Sequence, residues 1–529
     1  MDGYCLLNPT SRFLLIFAIS LMTVSLFVFE FTSRRRMALY ILMAAALFAG
    51  YLFASLDPFL HMWDEQFHVL VAKNLIENPI KPMLFKDFIH NYSFKSWDLN
   101  EIWLHKQPLF MWQMALSMSV FGVNEIAARL PDVLMHALMV VLIYRIGNHA
   151  VNFRVGFYAA LIYAFAHFPL ELISGSYVND HNDKAFIFYI TASFWALFEF
   201  RNSNKKRFMY LIGILAGCAV MVKWLAGFLV FGPWFLVIVL YSSERFKIKT
   251  YLPVIKAFAI CLLVVLPWQI YTMIRFPDEA RFELFHAASH FTEAVEGHSG
   301  DLLFHFEAIK ILIADYAFIY LIVIAGLITM YFIVKSKENY VLIMSAIVAV
   351  YAIFTAACTK MESFTAIVSP LIFIAVLSMV EYLISFIYRN KKSIIRNIVT
   401  FAVILFIALL TMNLPKSFDN HIVKNDNPAS YRSIRIREAI FYKKINEFLQ
   451  GGKYVVYNAG FNMHSEILAM FYTDYICHAF CPTIEQINES INKGYKVAVL
   501  DYKGIPDNIS GNPEVKVIKI PFYESFGKK

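Results

Sequence analysis

Long apolar stretches separated by short polar segments fill the sequence up to about residue 415. Several stretches reach the roughly 20 residues that a helix needs to cross about 30 Å of hydrocarbon. The pattern therefore predicts a mainly α fold, a polytopic membrane helix bundle. It predicts about 12 spans, at residues 13–32, 37–56, 126–146, 155–175, 184–200, 208–222, 224–241, 251–271, 310–334, 340–358, 364–387 and 398–414.

Clusters of Lys and Arg between the apolar stretches predict how the spans are threaded. When the spans alternate in direction, the clusters from Arg34 to Arg396 all fall on one side. That side is the cytoplasm by the positive-inside rule. The opposite, extracytoplasmic side then receives residues 57–125, residues 272–307 and everything after about residue 415. At Lys223 two predicted spans meet with almost no loop between them.

The segments on the predicted outer side differ in character. Residues 57–125 carry Trp97, Trp103 and Trp112, as helices lying along a membrane surface do. After about residue 430 the pattern becomes that of a soluble α/β domain, with helices at 431–449 and 482–492 and strands at 453–458, 496–501 and 515–520. We therefore predict three domains, namely an additional N-terminal span (1–36), a transmembrane domain (37–415) and an extracytoplasmic α/β domain (416–529).

Composition supports the membrane assignment and excludes one class of function. Apolar residues make up 59% of the chain and charged residues 16%, whereas soluble domains are nearer half apolar and a quarter charged. The net charge of +8 arises from the clusters between spans, which act as topology signals. We therefore expect no nucleic-acid partner.

Two sites on the predicted outer side carry carboxylates. Asp64 and Glu65 follow the second span, where one carboxylate can take a proton from an attacking hydroxyl while its neighbour holds the geometry. A solvated pair of interfacial acids is the plain alternative. Asp183 opens the span at 184–200, where it can also act as a simple helix cap.

Five cationic or histidine side chains accompany these carboxylates. Lys106 and Arg129 lie where they could bind a lipid phosphate or could merely extend to headgroups. Lys223 and Lys360 interrupt apolar sequence, where a charge is costly and often functional. His298 lies in the sequence Gly-His-Ser-Gly, where a satisfied loop histidine is the alternative. Taken together, these groups suit a transferase with an anionic lipid donor.

The order of these motifs resembles the bacterial branch of the protein O-mannosyltransferases, which includes the aminoarabinose transferases of lipid A within the glycosyltransferase C superfamily. The resemblance covers roughly residues 37–415 and rests on Asp-Glu after an early span, Lys-Gln-Pro-Leu, Arg-Leu-Pro, a second outward Asp, a Lys, Gly-His-Ser-Gly and Thr-Lys-x-x-x-Phe. Three features depart from the family pattern: Gln107 replaces a Pro, Val222 and Trp224 replace the Thr and the Gly on either side of the family lysine, and the span at 13–32 is additional.

The resemblance implies an inverting transfer of a sugar from an undecaprenyl or dolichyl phosphate carrier to a lipid, protein or glycan acceptor at the outer face of the bacterial inner membrane. It implies Asp64 as the catalytic carboxylate, with Glu65 and Asp183 beside it. The residues implied in binding donor phosphate or substrate are Lys106, Arg129, Lys223, His298 and Lys360.

Phosphate is a competent leaving group, so no metal is obligatory; a divalent ion remains possible, with His105 and His298 as candidate ligands. One alternative function is an oligosaccharide transferase that uses a lipid diphosphate donor. A second, from a different class, is a transporter or flippase, which would place paired charges at mid-membrane. A third is a scaffold that displays the C-terminal domain.

Overall fold

The computed structural model describes residues 8–87, 89–90, 92–176, 180–421, 430–449 and 451–520. The helices of the first half of the chain are α1 (Pro9–Phe31), α2 (Arg35–Ser55), α3 (Asp64–Glu77), α4 (Leu109–Phe121), α5 (Glu125–Ala150), α6 (Phe153–Phe165), α7 (His167–Ser174), α8 (Asp180–Ser203), α9 (Lys206–Lys223) and α10 (Phe231–Tyr241). They are followed by α11 (Leu252–Arg275), α12 (Pro277–Ser289), α13 (Phe304–Glu307), α14 (Ile309–Leu312), α15 (Ile319–Ile333), α16 (Lys337–Ala356), α17 (Ser369–Ile387), α18 (Ser393–Met412) and α19 (Leu414–His421).

Short polar caps define where several of the long apolar helices begin. The side chain of Asn8 accepts a hydrogen bond from the backbone of Ser11 at 2.8 Å, and Asn124, Asn152 and Ser336 cap α5, α6 and α16 in the same way. A side-chain oxygen at this position satisfies a backbone N–H that the helix itself leaves unpaired. The sequence thus fixes helix starts locally, although the bundle itself depends on packing.

One end of the bundle gathers the predicted cytoplasmic clusters, and we call it the basic end. Here Arg154 donates to Asn397 at 3.3 Å, and Asn397 donates to the backbone of Glu30 at 2.7 Å. The backbone N–H of Lys335 donates to Ala150 at 2.9 Å. These contacts join loops that the threading had placed on one side of the membrane.

Among the described residues, eight helical segments are long and apolar enough to cross a membrane, or nine if the bent pair α6 and α7 forms one span. About twelve were predicted. The difference arises from α8, from the short helix α15, and from residues 206–241, which are continuous in helical structure. That last segment reverses at Trp224: a Cβ on Gly227 would lie 2.3 Å from the backbone nitrogen of Val220, so the chain has folded back on itself. The chain thus turns sharply at the point where the sequence showed almost no loop.

At the opposite end, which we call the site end, residues 57–125 do not form a simple surface layer. Within the part of this segment that the structure describes, only α3 and α4 are regular, and a bridge between Met83 and Ile102 ties the intervening chain. Trp103 donates its indole N–H to the backbone of Trp97 at 2.9 Å, and Trp112 donates to Pro79 at 2.7 Å. The tryptophans thus anchor the segment to itself and to the bundle.

The C-terminal region forms the predicted small α/β domain. Its helices are α20 (Tyr431–Lys443), α21 (Ser465–Tyr472), α22 (Ile484–Asn492) and α23 (Asp507–Ser510). Its strands β1 (Tyr454–Tyr457), β2 (Ile476–Cys477), β3 (Lys496–Asp501) and β4 (Val515–Lys519) form a parallel sheet in the order β2-β1-β3-β4. The pattern missed α21 and β2, because a strand of two residues is too short to show a period.

This domain docks on α3 and α5 through specific polar contacts. Lys73 of α3 donates to the carbonyl oxygens of Met470 and Phe471 at 3.0 and 3.1 Å, at the C-terminal end of α21. Lys443 donates to Glu125 at 2.7 Å, and the Tyr472 hydroxyl donates to the same carboxylate at 2.6 Å. A cation beside the last carbonyl groups of a helix is favourable. These contacts therefore hold the domain against α3 and the start of α5.

Candidate active site

Asp64 begins α3 directly after an unusual backbone conformation. Trp63 has φ of 69°, a region in which a non-glycine residue costs of order 1–3 kcal/mol. The turn brings the chain from the end of α2 into α3, so that the two carboxylates of the Asp-Glu pair point in different directions. Asp64 and Glu65 are adjacent in the sequence, but after the turn their carboxylates lie in different surroundings.

The carboxylate of Asp64 faces Lys106. The Asp64 Oδ2 and Lys106 Nζ atoms lie 3.9 Å apart, and the two side chains are 18% and 19% exposed. Asp64 Oδ2 is buried and has no hydrogen bond among the described residues. The pair is therefore close enough for electrostatic attraction but leaves an acceptor atom free for a substrate hydroxyl.

A second carboxylate–ammonium pair is formed by Asp183 and Lys223. Lys223 Nζ donates to Asp183 Oδ1 at 2.5 Å. Asp183 is buried, whereas the side chain of Lys223 is 21% exposed and lies over the ring of Phe364. Lys223 ends α9 at the reversal described above, which turns its ammonium toward the site end of the bundle.

The electrostatics of Asp64 link the two pairs. Burial acts to raise the pKa of the Asp64 carboxyl, but the positive charges of Lys106, His68, His105 and Lys223 outweigh it, so that the pKa falls below its ordinary value. A carboxyl with a lowered pKa stays ionised at neutral pH. Asp64 is thus a carboxylate that both lysines influence, in an arrangement able to accept a proton and to surround an anion with positive charge.

The structure places Glu65 in a buried ion pair, an arrangement that suits the predicted task of holding the geometry beside Asp64. It is fully buried and forms a two-pronged ion pair with Arg129, at 2.7 Å to Nε and 3.0 Å to Nη2. The backbone N–H of His61 donates to Glu65 Oε2 at 2.6 Å. Burial acts to raise the pKa of Glu65, yet the charge of Arg129 and the bonds from His181 and Arg129 hold it well below the ordinary value.

The remaining N–H groups of Arg129 donate to backbone carbonyl oxygens. Arg129 donates to the carbonyl oxygens of Ala54 and Asp57 at 3.0 and 2.8 Å and to that of Phe59 at 2.7 Å. With Glu65, these contacts take all five of its N–H groups. The five N–H groups of Arg129 thus all have partners in this structure, so its role in binding donor phosphate stays a prediction, and the geometry makes Arg129 a residue that positions the loop before Asp64.

Two residues that complete this buried clamp were not singled out from the sequence. His181 lies between two acids, with Nε2 at 3.2 Å from Glu65 Oε1 and Nδ1 facing Asp132. Gly175 has φ of 79°, and a Cβ there would lie 2.3 Å from the Glu65 carboxyl carbon. A positive φ at a helix end is a known signal for glycine, but its contact with Glu65 is purely tertiary.

Lys360 and His298 are neighbours, although not through their side chains. The backbone N–H of Lys360 donates to the carbonyl oxygen of His298 at 3.1 Å. The buried Lys360 side chain donates to the carbonyl oxygens of Phe354 and Thr355 at the end of α16. Lys360 thus caps a helix in this structure, which is a simpler role than the predicted contact with donor.

A divalent metal has a candidate site close to the Asp64–Lys106 pair. His105, His286 and Glu296 each offer a ligand atom within 4.8 Å of the others. Imidazole nitrogen and carboxylate oxygen are common ligands for zinc. The predicted candidate His105 is thus in a suitable group, whereas His298, the other candidate, is not a member of it.

Asp57, His61 and His421 form a second group of this kind, and all three are buried. Asp57 Oδ2 accepts from His61 Nε2 at 2.9 Å and from His421 Nδ1 at 2.6 Å. His421 Nε2 faces Glu171 at 2.9 Å. Since the other ring nitrogen of His421 also meets a carboxylate, an ordinary hydrogen-bond network explains these contacts without a metal.

Comparisons with known proteins agree with the predicted resemblance. Residues 105–271 match the family described as dolichyl-phosphate-mannose-protein mannosyltransferase. The undecaprenyl phosphate-alpha-4-amino-4-deoxy-L-arabinose arabinosyl transferase 2 of Pseudomonas fluorescens is 26% identical over 197 residues, which is 36% of this chain. The match spans only 34% of that relative. The resemblance read from the order of motifs is thereby confirmed.

The fold is shared over much more of the chain. The crystal structure of ArnT from Cupriavidus metallidurans bound to undecaprenyl phosphate matches with a TM-score of 0.61 at 13% identity, covering 86% of this chain and 88% of that one. The oligosaccharyltransferase AglB from Archaeoglobus fulgidus matches with a TM-score of 0.55 at 12% identity, covering 84% of this chain and 65% of that one. The predicted fold class is confirmed, and the chain is an integral membrane protein.

Proposed function

We propose that this protein is an inverting glycosyltransferase that moves a sugar from a polyprenyl-phosphate carrier to an acceptor on the extracytoplasmic side of a bacterial inner membrane. One observation carries the proposal. Four distant segments bring two carboxylate–ammonium pairs, Asp64 with Lys106 and Asp183 with Lys223, to one end of a membrane bundle. That combination suits a reaction that removes a proton from one reactant and leaves a negative charge on another.

The reaction needs a base for the acceptor proton and positive charge for the leaving phosphate. The acceptor oxygen forms a bond to the anomeric carbon while the bond from that carbon to the phosphate oxygen breaks. Asp64 takes the acceptor proton, and Oδ2, which has no hydrogen bond among the described residues, is the atom for that task. The carrier leaves as a phosphate monoester with one additional negative charge, which Lys106 and Lys223 stabilise.

Glu65 and Arg129 act on this reaction indirectly. Their buried ion pair fixes the loop from Ala54 to Phe59 against α3, so Asp64 begins its helix in one defined position. We assign them to positioning and keep the chemical roles for Asp64 and the two lysines. If a metal binds His105, His286 and Glu296, it would add positive charge near the donor.

The identity of the sugar and of the acceptor is a finer proposal. The name of the Pseudomonas relative supports an amino-pentose, and that of the matching family supports a mannose. Lipid A, a protein hydroxyl and a glycan are the acceptor classes. Hydroxyl and phosphate acceptors both fit a site that supplies one base and two ammonium groups.

The test is transfer from a panel of radiolabelled polyprenyl-phosphate sugars to a panel of acceptors, with purified wild type beside Asp64→Asn. We expect turnover with one donor, which disappears in the variant. The exposed acid Asp278 provides a matched control as Asp278→Asn. No turnover with any monophosphate donor would overturn the proposal and favour a lipid-diphosphate oligosaccharide donor.

A further inference from the structure

A cavity opens next to both lysines of the candidate active site. Gln107 and Trp224 line it, and these are the residues that directly follow Lys106 and Lys223 in the chain. The other side is formed by α11 and α12, through Trp268, Gln269, Thr272 and Glu283. We call this space the glutamine cavity. It is open on one side.

Two glutamine side chains form an oriented pair on its wall. Gln269 Nε2 donates to Gln107 Oε1 at 2.6 Å. The pair leaves the Nε2 group of Gln107 and the Oε1 atom of Gln269 without a hydrogen bond among the described residues. A primary amide carries two donors and two acceptor lone pairs, so the pair offers a fixed donor and a fixed acceptor to a polar ligand.

Glu283 supplies the strongest sign that a ligand belongs here. Its side chain is 5% exposed and its Oε2 atom lies 3.2 Å from His105 Nδ1. The Oε1 atom is buried and has no hydrogen bond among the described residues. A buried carboxylate oxygen without a partner is costly, and this cost is relieved when a ligand donates a hydroxyl or an ammonium hydrogen to it.

Two indole rings complete the cavity. Trp268 is held edge to face against Trp112, with ring centroids 5.2 Å apart. Trp224 has φ of 53° and stands at the chain reversal, so its position is set by the fold. Rigid aromatic walls with a few fixed polar groups are typical of sites for small polar molecules. Gln107 and Trp224 are also among the positions where the chain departs from the pattern it resembles.

We propose that the glutamine cavity holds the sugar of the donor, with Glu283 accepting a hydrogen bond from a hydroxyl or ammonium group of that sugar. Lys106 and Lys223 would then hold the phosphate while their neighbours Gln107 and Trp224 contact the sugar. Glu283 determines specificity and takes no part in the chemical step. The inference rests on the proposed function, because it assumes a polyprenyl-phosphate donor.

Binding without turnover tests the cavity separately from catalysis. The probes are undecaprenyl phosphate alone, its ester with a neutral hexose, and its ester with 4-amino-4-deoxyarabinose, each titrated against the full-length protein in nanodiscs. We expect the wild type to bind one ester more tightly than the bare carrier. Glu283→Gln should lose at least about tenfold of that preference, or about 1.4 kcal/mol, while binding of the bare carrier changes by less than about twofold.

The pattern across the probes identifies the group that Glu283 recognises. A loss confined to the amino sugar assigns an ammonium group, and a loss with the neutral hexose assigns a hydroxyl; both support the proposal. Gln107→Leu is the second variant and should also weaken the preferred ester selectively. Asp278→Asn, on the same helix but exposed, is the control and should bind all three probes as the wild type does.

Two results would overturn the inference, and they differ from each other. If the Glu283 and Gln107 variants keep the full preference for the ester, or lose the bare carrier equally, the sugar does not lie in this cavity although the proposed function stands. If the wild type binds no undecaprenyl monophosphate at all, the proposed function fails together with the cavity.

Discussion

Asp64 and Glu65 are neighbours in the chain but belong to two different regions of the molecule. Asp64 lies in a partly open region where a lysine approaches to 3.9 Å and one carboxylate oxygen has no hydrogen bond among the described residues. Glu65 lies in a sealed region where Arg129, His181 and a backbone N–H of His61 satisfy it. The carboxylate of Asp64 can still accept a hydrogen bond from a ligand, whereas the protein itself already satisfies the carboxylate of Glu65.

The difference shows how a fold can use one dipeptide for two tasks. A buried carboxylate is tolerated when it is paired and hydrogen-bonded, and that condition makes Glu65 a good anchor but a poor base. Because Glu65 is held from both sides, the start of α3 is fixed. Asp64 can therefore keep one carboxylate oxygen that accepts a hydrogen bond from a substrate. A substitution in one of the two regions can therefore show whether the other region changes with it.

The largest effect is expected from Asp64→Asn. The amide cannot take a proton from the acceptor, so the rate of transfer should fall by about 10²- to 10⁴-fold, the contribution of a positioned general base. The sealed region should not respond, so the thermal unfolding midpoint should match that of the wild type. A variant with full activity would remove Asp64 from the mechanism.

Arg129→Met should have the largest effect on the sealed region. It leaves Glu65 buried without its cation and removes the donors of three carbonyl oxygens, a loss of about 3 to 5 kcal/mol in the free energy of unfolding. Chemical denaturation of the purified protein measures it. Glu65→Gln with Arg129→Met should be less damaging than Arg129→Met alone, because the double variant buries no unpaired charge. Equal losses would contradict the clamp.

Gly175→Ala probes the same region from its opposite wall. The new methyl group would lie 2.3 Å from the Glu65 carboxyl carbon, and the positive φ of Gly175 also disfavours alanine. Overpacking of this kind costs about 1 to 3 kcal/mol. We expect a lower unfolding midpoint and a reduced rate, since a displaced Glu65 moves the start of α3. Gly297→Ala, where a Cβ would meet no atom within 4 Å, is the control.

The smallest expected effect is a shift in the pH dependence caused by Lys106→Met. The positive charge of Lys106 helps to hold the pKa of Asp64 below its ordinary value, against the effect of burial. Activity that needs the carboxylate is therefore kept above that lowered pKa and lost as the pH falls through it. Without Lys106 the acidic limb of kcat/KM should move to higher pH. An unmoved limb would assign it to another group.

The sequence predicted the membrane-spanning stretches and the common side of the basic clusters, because both depend on the local hydropathy and charge of the chain. It also indicated the residues of the two carboxylate–ammonium pairs, since a lysine or an acid is conspicuous within apolar sequence. It did not show that a buried ion pair satisfies Glu65, and it left open whether Arg129 binds a phosphate or extends to headgroups. Those distinctions depend on contacts between Glu65 and Arg129 that are 64 residues apart in the chain.

By itself, the sequence determined that this chain is a membrane helix bundle with a small α/β domain, and it predicted that the candidate site residues lie on one side of the membrane. Only the tertiary structure decided which of those residues are satisfied by the protein and which keep an atom for a ligand. The physical reason is that hydrophobicity is a property of each stretch, whereas the saturation of Arg129, the contact of Gly175 with Glu65 and the unpaired oxygen of Glu283 exist only after distant segments have packed.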